Sequence, residues 1–186
     1  MGSCENKIFP RPQEIGNHPE VIRRRSVIGV NAALACDIHG NVNSTHVNGT
    51  HMMTGIGGSV DFARNAYLEI FVTKALANDG ALFLIAPMVP HMDHNEYHAD
   101  GIATEIDLAD LSGLTPRGRA PTIIQNRVHP SYRELAADYL KRTTQREGQT
   151  LHLLEKAFSW HIRARQTGRM LPTSRVGLSS EAPMRT

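Results

Sequence analysis

Three glycines within four positions, Gly55, Gly57 and Gly58, stand immediately before a segment at about 59–67 that reads as a helix. Glycine lets the backbone take positive φ and come within hydrogen-bonding distance of a ligand. A helix beginning there turns its unpaired N–H groups and the positive end of its dipole toward whatever the loop holds. Such a loop suits negative charge, either a phosphate or an oxyanion forming on a carbonyl. A tight turn explains the same glycines, and the run by itself leaves both readings standing.

The elements around the loop set the fold class. Asn17 is expected to cap a short helix with Pro19 and Glu20 in its first turn, and Arg23-Arg24-Arg25 to form its solvated end. Ser26 to Ile38, rich in Val, Ile and small residues, reads as extended. His39-Gly40-Asn41 supplies a turn. LEIFVT (68–73) is a strand, and ALFLIAPMV (81–89) is another, apolar enough for burial on both faces. Asn78-Asp79-Gly80 turns between them. After the polar loop 91–100 comes a short strand, GIATEI, and beyond it the texture becomes helical. Pro116 to about Asn126, Pro130 to Thr143 and Leu151 to Gln166 carry helical periodicity, with Gly168 after the last. Strands interleaved with helices, followed by a helical C-terminal region, make an α/β chain.

Composition excludes several classes. Twenty basic against 18 acidic residues give a formal net charge of +2, too balanced for a nucleic-acid footprint. No apolar stretch approaches the roughly 20 residues of a membrane span. Two cysteines, Cys4 and Cys36, suit a reducing cytoplasm without a disulfide framework. The loop HMDHNEYH offers His91, Asp93, His94, Glu96 and His98 as zinc-compatible donors. His94 and His98 have an i, i+4 count but lack the Glu of a metalloprotease pair, and Pro90 argues for a loop, so no metal is expected. Leu154, Ala157, Phe158 and His161 form a packing stripe on the last helix.

The words VNSTHVNGTHMMTGIGGSVDFARNAYLEIFVT and IAPMVPHMDHNEYHADGIATEIDLADLSGLTPRGRA, preceded by RPQEIGNHPEVIRR, resemble the C-terminal part of the acetyl-CoA hydrolase / acetate CoA-transferase family. VHPSYRELAADYL and LLEKAFSWH extend the likeness to about Leu171. The resemblance implies part of an open mixed-sheet CoA-transferase domain of the NagB/RpiA-like kind over 11–171. Residues 1–10 are then a leader outside the pattern, and 172–186 a disordered tail. It implies acyl-CoA and acetate as substrates, with coenzyme A as the only cofactor-like molecule and none bound permanently.

In that family a glutamate attacks the acyl-CoA thioester and passes through a glutamyl-CoA thioester. The glutamate lies upstream, in a Glu-Asn-Gly setting. Glu5-Asn6 is the superficial match, but Lys7 replaces the glycine and the spacing to Asn17 is far too short, so Glu5 is rejected. Gly58 matches the glycine whose N–H meets the thioester oxygen, and Glu105 a positioning carboxylate near the site. Asn17 matches an asparagine that holds the reacting carboxylate. Leu34 matches a position lining CoA, although a buried strand leucine is the better account of the residue itself. Asn78 replaces a lysine near CoA, which weakens a phosphate contact. Three readings follow: the oxyanion- and CoA-facing half of an enzyme completed by an upstream half or a homo-oligomer, a non-catalytic module of the same fold, or a metal protein using the histidine loop.

Overall fold

The computed structural model describes residues 9–146 and 148–172. Two short helices open it, α1 (Gln13–Gly16) and α2 (Pro19–Arg24). The cap of α2 is His18, not Asn17: its Nδ1 accepts the Glu20 N–H at 3.3 Å. Pro19 follows at the first helical position, where a missing N–H costs nothing. Arg23 and Arg24 occupy the last turn, where the dipole favours cations.

The stretch 26–38 divides into two strands, β1 (Ile28–Ala32) and β2 (Ala35–Asp37), which enter different sheets. Leu34 therefore sits half-buried in the break between them rather than inside a strand. Beyond β2, the Asp37 carboxylate accepts from the N–H groups of His39 and Asn41 and from the Asn41 amide, which ties the turn around Gly40. Short strands β3 (Val42–Asn43), β4 (His46–Val47) and β5 (His51–Met52) lead to helix α3 (Ser59–Asn65) and then β6 (Leu68–Val72).

ALFLIAPMV is broken into two strands. β7 (Leu76–Ala77) and β8 (Leu82–Phe83) form a hairpin, and β9 (Ile85–Ala86) leaves it to pair with β2. Asn78, Asp79 and Gly80 make the hairpin turn with φ of 50°, 51° and 84°. Asn and Asp are the non-glycine residues that visit this left-handed region most readily. After β10 (Gly101–Ala103) a further strand, β11 (Leu108–Asp110), appears where sequence texture suggested the start of helix.

Two sheets result. The larger runs β1-β6-β10-β11, with β1, β6 and β10 parallel and β11 antiparallel to β10. The smaller runs β3-β2-β9. One face of the larger sheet is buried through Glu69, Phe71, Ile102 and Ala109, and the helices pack there. The other face leaves Ile28 and Val30 more than 60% exposed.

Three helices follow: α4 (Pro116–Arg127), α5 (Pro130–Thr143) and α6 (Ser159–Thr167). Thr115 caps α4 and His129 caps α5, each followed by proline. Gly168 ends α6 at φ 77°, the left-handed C-cap that glycine adopts without strain. Residues 151–158 precede α6 as turns rather than helix, so the expected stripe fails in part: Leu154 is 77% exposed. The contacts are made instead by Trp160, which stands edge-on to Phe83 and Tyr132, themselves stacked at 3.8 Å. The predicted tail 172–186 lies outside the described residues except for Pro172.

Candidate active site

The parallel strands end side by side. Ala33 N–H donates to Val72 O at 2.9 Å, and Thr73 N–H to Ala103 O at 3.0 Å, so the chain leaves β1, β6 and β10 along one rim. Helix α3 returns against these strands, because Tyr67 N–H, just beyond its end, bonds Val27 O at the start of β1. The beginning of α3 thereby lies toward the carboxyl ends, where open α/β sheets place ligands.

The loop before α3 is exposed at Gly55 and Gly57, and Gly58 is half-buried. Gly57 takes the left-handed φ of 56°. Gly58 has φ −84° and ψ 1°, a conformation open to other residues. What demands glycine at 58 is a neighbour: a Cβ there would collide with the side-chain amide of Asn17. The fold thus joins two of the predicted site residues from distant parts of the chain. The packing of α2 on α3 makes this possible, with an Arg23–Asn65 side-chain hydrogen bond between them.

Glu105 lies just past β10, and its Oε2 accepts the Ala75 N–H at 2.8 Å. Exposed as it is, Glu105 acts as a clamp between the end of β10 and the chain leaving β6. Asn78 is exposed at the hairpin turn. Leu34 lies on the chain leaving β1, its N–H bonded to Asn43 O at 2.8 Å.

The histidine loop supplies contacts that spacing alone did not disclose. His94 is buried, pinned through its backbone to Val42, and its Nε2 lies 3.1 Å from Ser59 Oγ. Ser59 Oγ also donates to Ile56 O at 2.7 Å, so the glycine loop is held from within. Burial holds the His94 ring below its usual pKa, opposed by Asp93 and aided by His98 and Arg64. Asp93 accepts from the N–H groups of Ser44 and Thr45 and from the Thr45 hydroxyl. Partial burial works to raise its carboxyl, and these hydrogen bonds outweigh it and hold the group below the usual range. Ser44 Oγ closes the circuit by donating to Ala32 O at the end of β1. The signal in the sequence is positional and limited to Ser59, which directly follows the glycines; nothing in the spacing of the loop singles out His94.

His46 and His91 rings lie 3.6 Å apart, tilted by 32°, yet among the described residues no three His, Cys, Asp or Glu side chains converge as a metal-ligand set. No described helix is long and apolar enough to cross a membrane. A shallow groove of about 420 Å³ between α4 and α5, lined by Pro121, Ile124 and Leu140, contains none of the predicted site residues.

A glycine-rich helix start at the carboxyl ends of parallel strands marks an open-sheet α/β fold, the class in which ligands bind outside those strand ends. The chain belongs to the acetyl-CoA hydrolase/transferase C-terminal domain family, which residues 3–140 match. It is 53% identical over 165 residues to the succinyl-CoA:acetate CoA-transferase of Clostridium kluyveri, covering 88% of this chain and 31% of that protein. It is 47% identical to the propanoyl-CoA:succinate CoA transferase of Escherichia coli, over 92% of this chain and 34% of the relative. The acetyl-CoA hydrolase of Kluyveromyces lactis is 39% identical, over 88% and 33% respectively. The chain therefore spans about a third of these relatives' length. Among solved structures, RipA from Yersinia pestis superposes with TM-score 0.66 at 31% identity, over 74% of this chain and 32% of that one. The 4-hydroxybutyrate CoA-transferase of Porphyromonas gingivalis gives 0.53 at 25%, over 68% and 29%.

Proposed function

We propose that this chain is the oxyanion- and CoA-facing part of an acyl-CoA:carboxylate CoA-transferase or acetyl-CoA hydrolase with a NagB/RpiA-like sheet. In this reading a glutamate from an upstream segment attacks the acyl-CoA carbonyl and expels CoA thiolate, leaving an acyl-glutamyl anhydride. The thiolate then attacks the glutamyl carbonyl and releases the acyl group as a carboxylate, giving glutamyl-CoA. Acetate or water completes transfer or hydrolysis. Gly58 N–H faces the oxygen that gains charge, Asn17 beside it holds the reacting carboxylate, and Glu105 fixes the rim. Leu34 and Asn78 face the CoA chain, with Asn78 a weaker partner for phosphate than lysine. A reducing cytoplasm suits the buried free thiol of Cys36.

The observation carrying this reading is the contact of Asn17 with Gly58, which brings two motif residues to one point at a helix start. The test uses the chain reconstituted with the upstream part of the Clostridium relative. Acetyl-CoA formation from succinyl-CoA and acetate reports transfer, and free-thiol release from acetyl-CoA reports hydrolysis. Gly58→Ala keeps the backbone N–H but displaces it as its Cβ collides with the Asn17 amide, and is expected to lower kcat by up to about 10²–10³, the cost of losing one oxyanion donor. Asn17→Ala in the same background removes the steric conflict and restores the loop. If the double variant regains wild-type rate, Asn17 does not hold the reacting carboxylate and that role is lost; a Gly58→Ala enzyme at wild-type rate would remove the oxyanion role. A reconstituted enzyme with no turnover would reject the catalytic reading.

A further inference from the structure

The larger sheet is covered on one face and bare on the other. Pairing fixes which side chains share the bare face: Ile28 lies beside Leu68, and Val30 beside Ile70. Across β10 the same face continues to Leu108, since a Cβ on Gly101 would meet both Leu108 Cδ1 at 3.2 Å and Ile70 Cγ1 at 3.5 Å. Ile28 is 61% exposed, Val30 63%, Val72 42% and Leu108 46%. Alternation along β6 confirms the division, with Glu69 and Phe71 buried and Leu68, Ile70 and Val72 turned the other way. Parallel strands occur almost only with both faces covered, because their crossovers lay helices on each side. A contiguous apolar patch of this kind marks an interaction surface.

We propose that this face is the docking surface for the segment preceding this chain in a family-length enzyme, which lays amphipathic helices across β1, β6 and β10. The occupant follows from two findings. The matched family is a C-terminal domain, and the chain spans about a third of its relatives, so a large upstream part lies outside the homologous region. The helices within this chain already occupy the opposite face, so the missing layer of an α/β sandwich has one place to go. This interface rests on the proposed reconstitution but not on the catalytic roles of Gly58 or Asn17.

The test mixes the purified 186-residue chain with the separately expressed upstream part of the Clostridium relative and reads association by sedimentation velocity. A one-to-one complex is expected. Val30→Glu is expected to weaken it by at least about tenfold, while Leu154→Glu, on an exposed site elsewhere, leaves it unchanged. Should Val30→Glu fail to fold, Val30→Thr with Ile70→Thr keeps strand propensity and still removes apolar surface. No complex with folded wild-type chain, a complex indifferent to these substitutions, or a homodimer that buries the patch and excludes the upstream part would each overturn the proposal. Patch-dependent binding without turnover would uphold the surface while rejecting the catalytic reading. Turnover indifferent to the patch would do the reverse.

Discussion

Glu69 shows how one residue can couple stability to pH in this fold. It is 1% exposed on β6; Asn31 Nδ2 donates to its Oε1 at 2.6 Å, and its Oε2 has no partner among the described residues. Gly29 faces it across the strand pair, and a Cβ at 29 would collide with Oε2, so the glycine is what admits the carboxyl. Burial pushes the Glu69 pKa up to about 7, against the Asn31 hydrogen bond and with help from Asp100. A carboxyl with a raised folded pKa binds more protons folded than unfolded between about 4.5 and 7. Its contribution is thus fully present below 4.5, is lost as pH rises to about 7, and is constant above. The loss amounts to about 3 kcal/mol at ~1.4 kcal/mol per unit. Glu69→Gln, neutral throughout, should therefore gain about that much on wild type between pH 5 and pH 8 in urea unfolding. Parallel pH profiles for the two proteins would show that the acid is solvated rather than buried.

At the scale of elements, the β7–β8 turn separates two explanations of Asn78. Its φ of 50° and that of Asp79, 51°, place consecutive side chains in the left-handed region. Lysine, the residue expected at 78 for a phosphate contact, carries the ordinary steric cost of that conformation without the short polar side chain that eases it. Asn78→Lys should then lower the unfolding free energy by about 1 kcal/mol, and Asp79→Gly should raise it by up to about 1, both read from thermal midpoints. If Asn78→Lys also lowers the KM for CoA in the reconstituted enzyme, the turn trades affinity for stability. The same contrast explains what was legible from sequence. Helices α4 and α5 were readable to within a residue because Pro116 and Pro130 mark their first positions. The Gly-rich loop was readable because its helix begins immediately after it. β11 was not: Leu108-Ala109-Asp110 is too short to show alternation, and its pairing with β10 is a tertiary fact. ALFLIAPMV looked like one strand because hydrophobicity does not reveal that a chain changes sheets at Leu84. Within the site, residue types in the motifs pointed to Asn17 and Gly58, but their contact depends on α2 packing on α3. His94 and Ser59 meet only because Val42 pairs with the histidine loop.

Over the whole molecule, histidines set a second and opposite pH dependence. Burial holds four imidazoles, His94, His98, His152 and His161, below their usual value, with His152 down to about 4. They are spread over the loop 91–100, the segment after α5, and α6, so no single element carries the effect. Each is bonded or packed as a neutral ring: His152 Nδ1 lies 3.3 Å from Tyr139 O–H and its ring meets His39 edge-on, while His161 Nε2 lies 3.0 Å from Met88 O. A histidine with a depressed folded pKa binds fewer protons folded than unfolded below about 6.5, so stability rises with pH in that window. Acidification from pH 6.5 toward 4 must charge these rings in a site that resists it. Glu69 and Asp37, both raised by burial, work the other way, and the four imidazoles act against those two. The chain should therefore lose stability steeply between pH 6.5 and 4, and His152→Gln should recover roughly 2 kcal/mol of that loss, after allowance for its partial exposure. Urea midpoints at pH 7, 5.5 and 4.5 give the measurement. A His152→Gln profile parallel to that of wild type across the range would mean that this ring is protonated in the folded chain without cost.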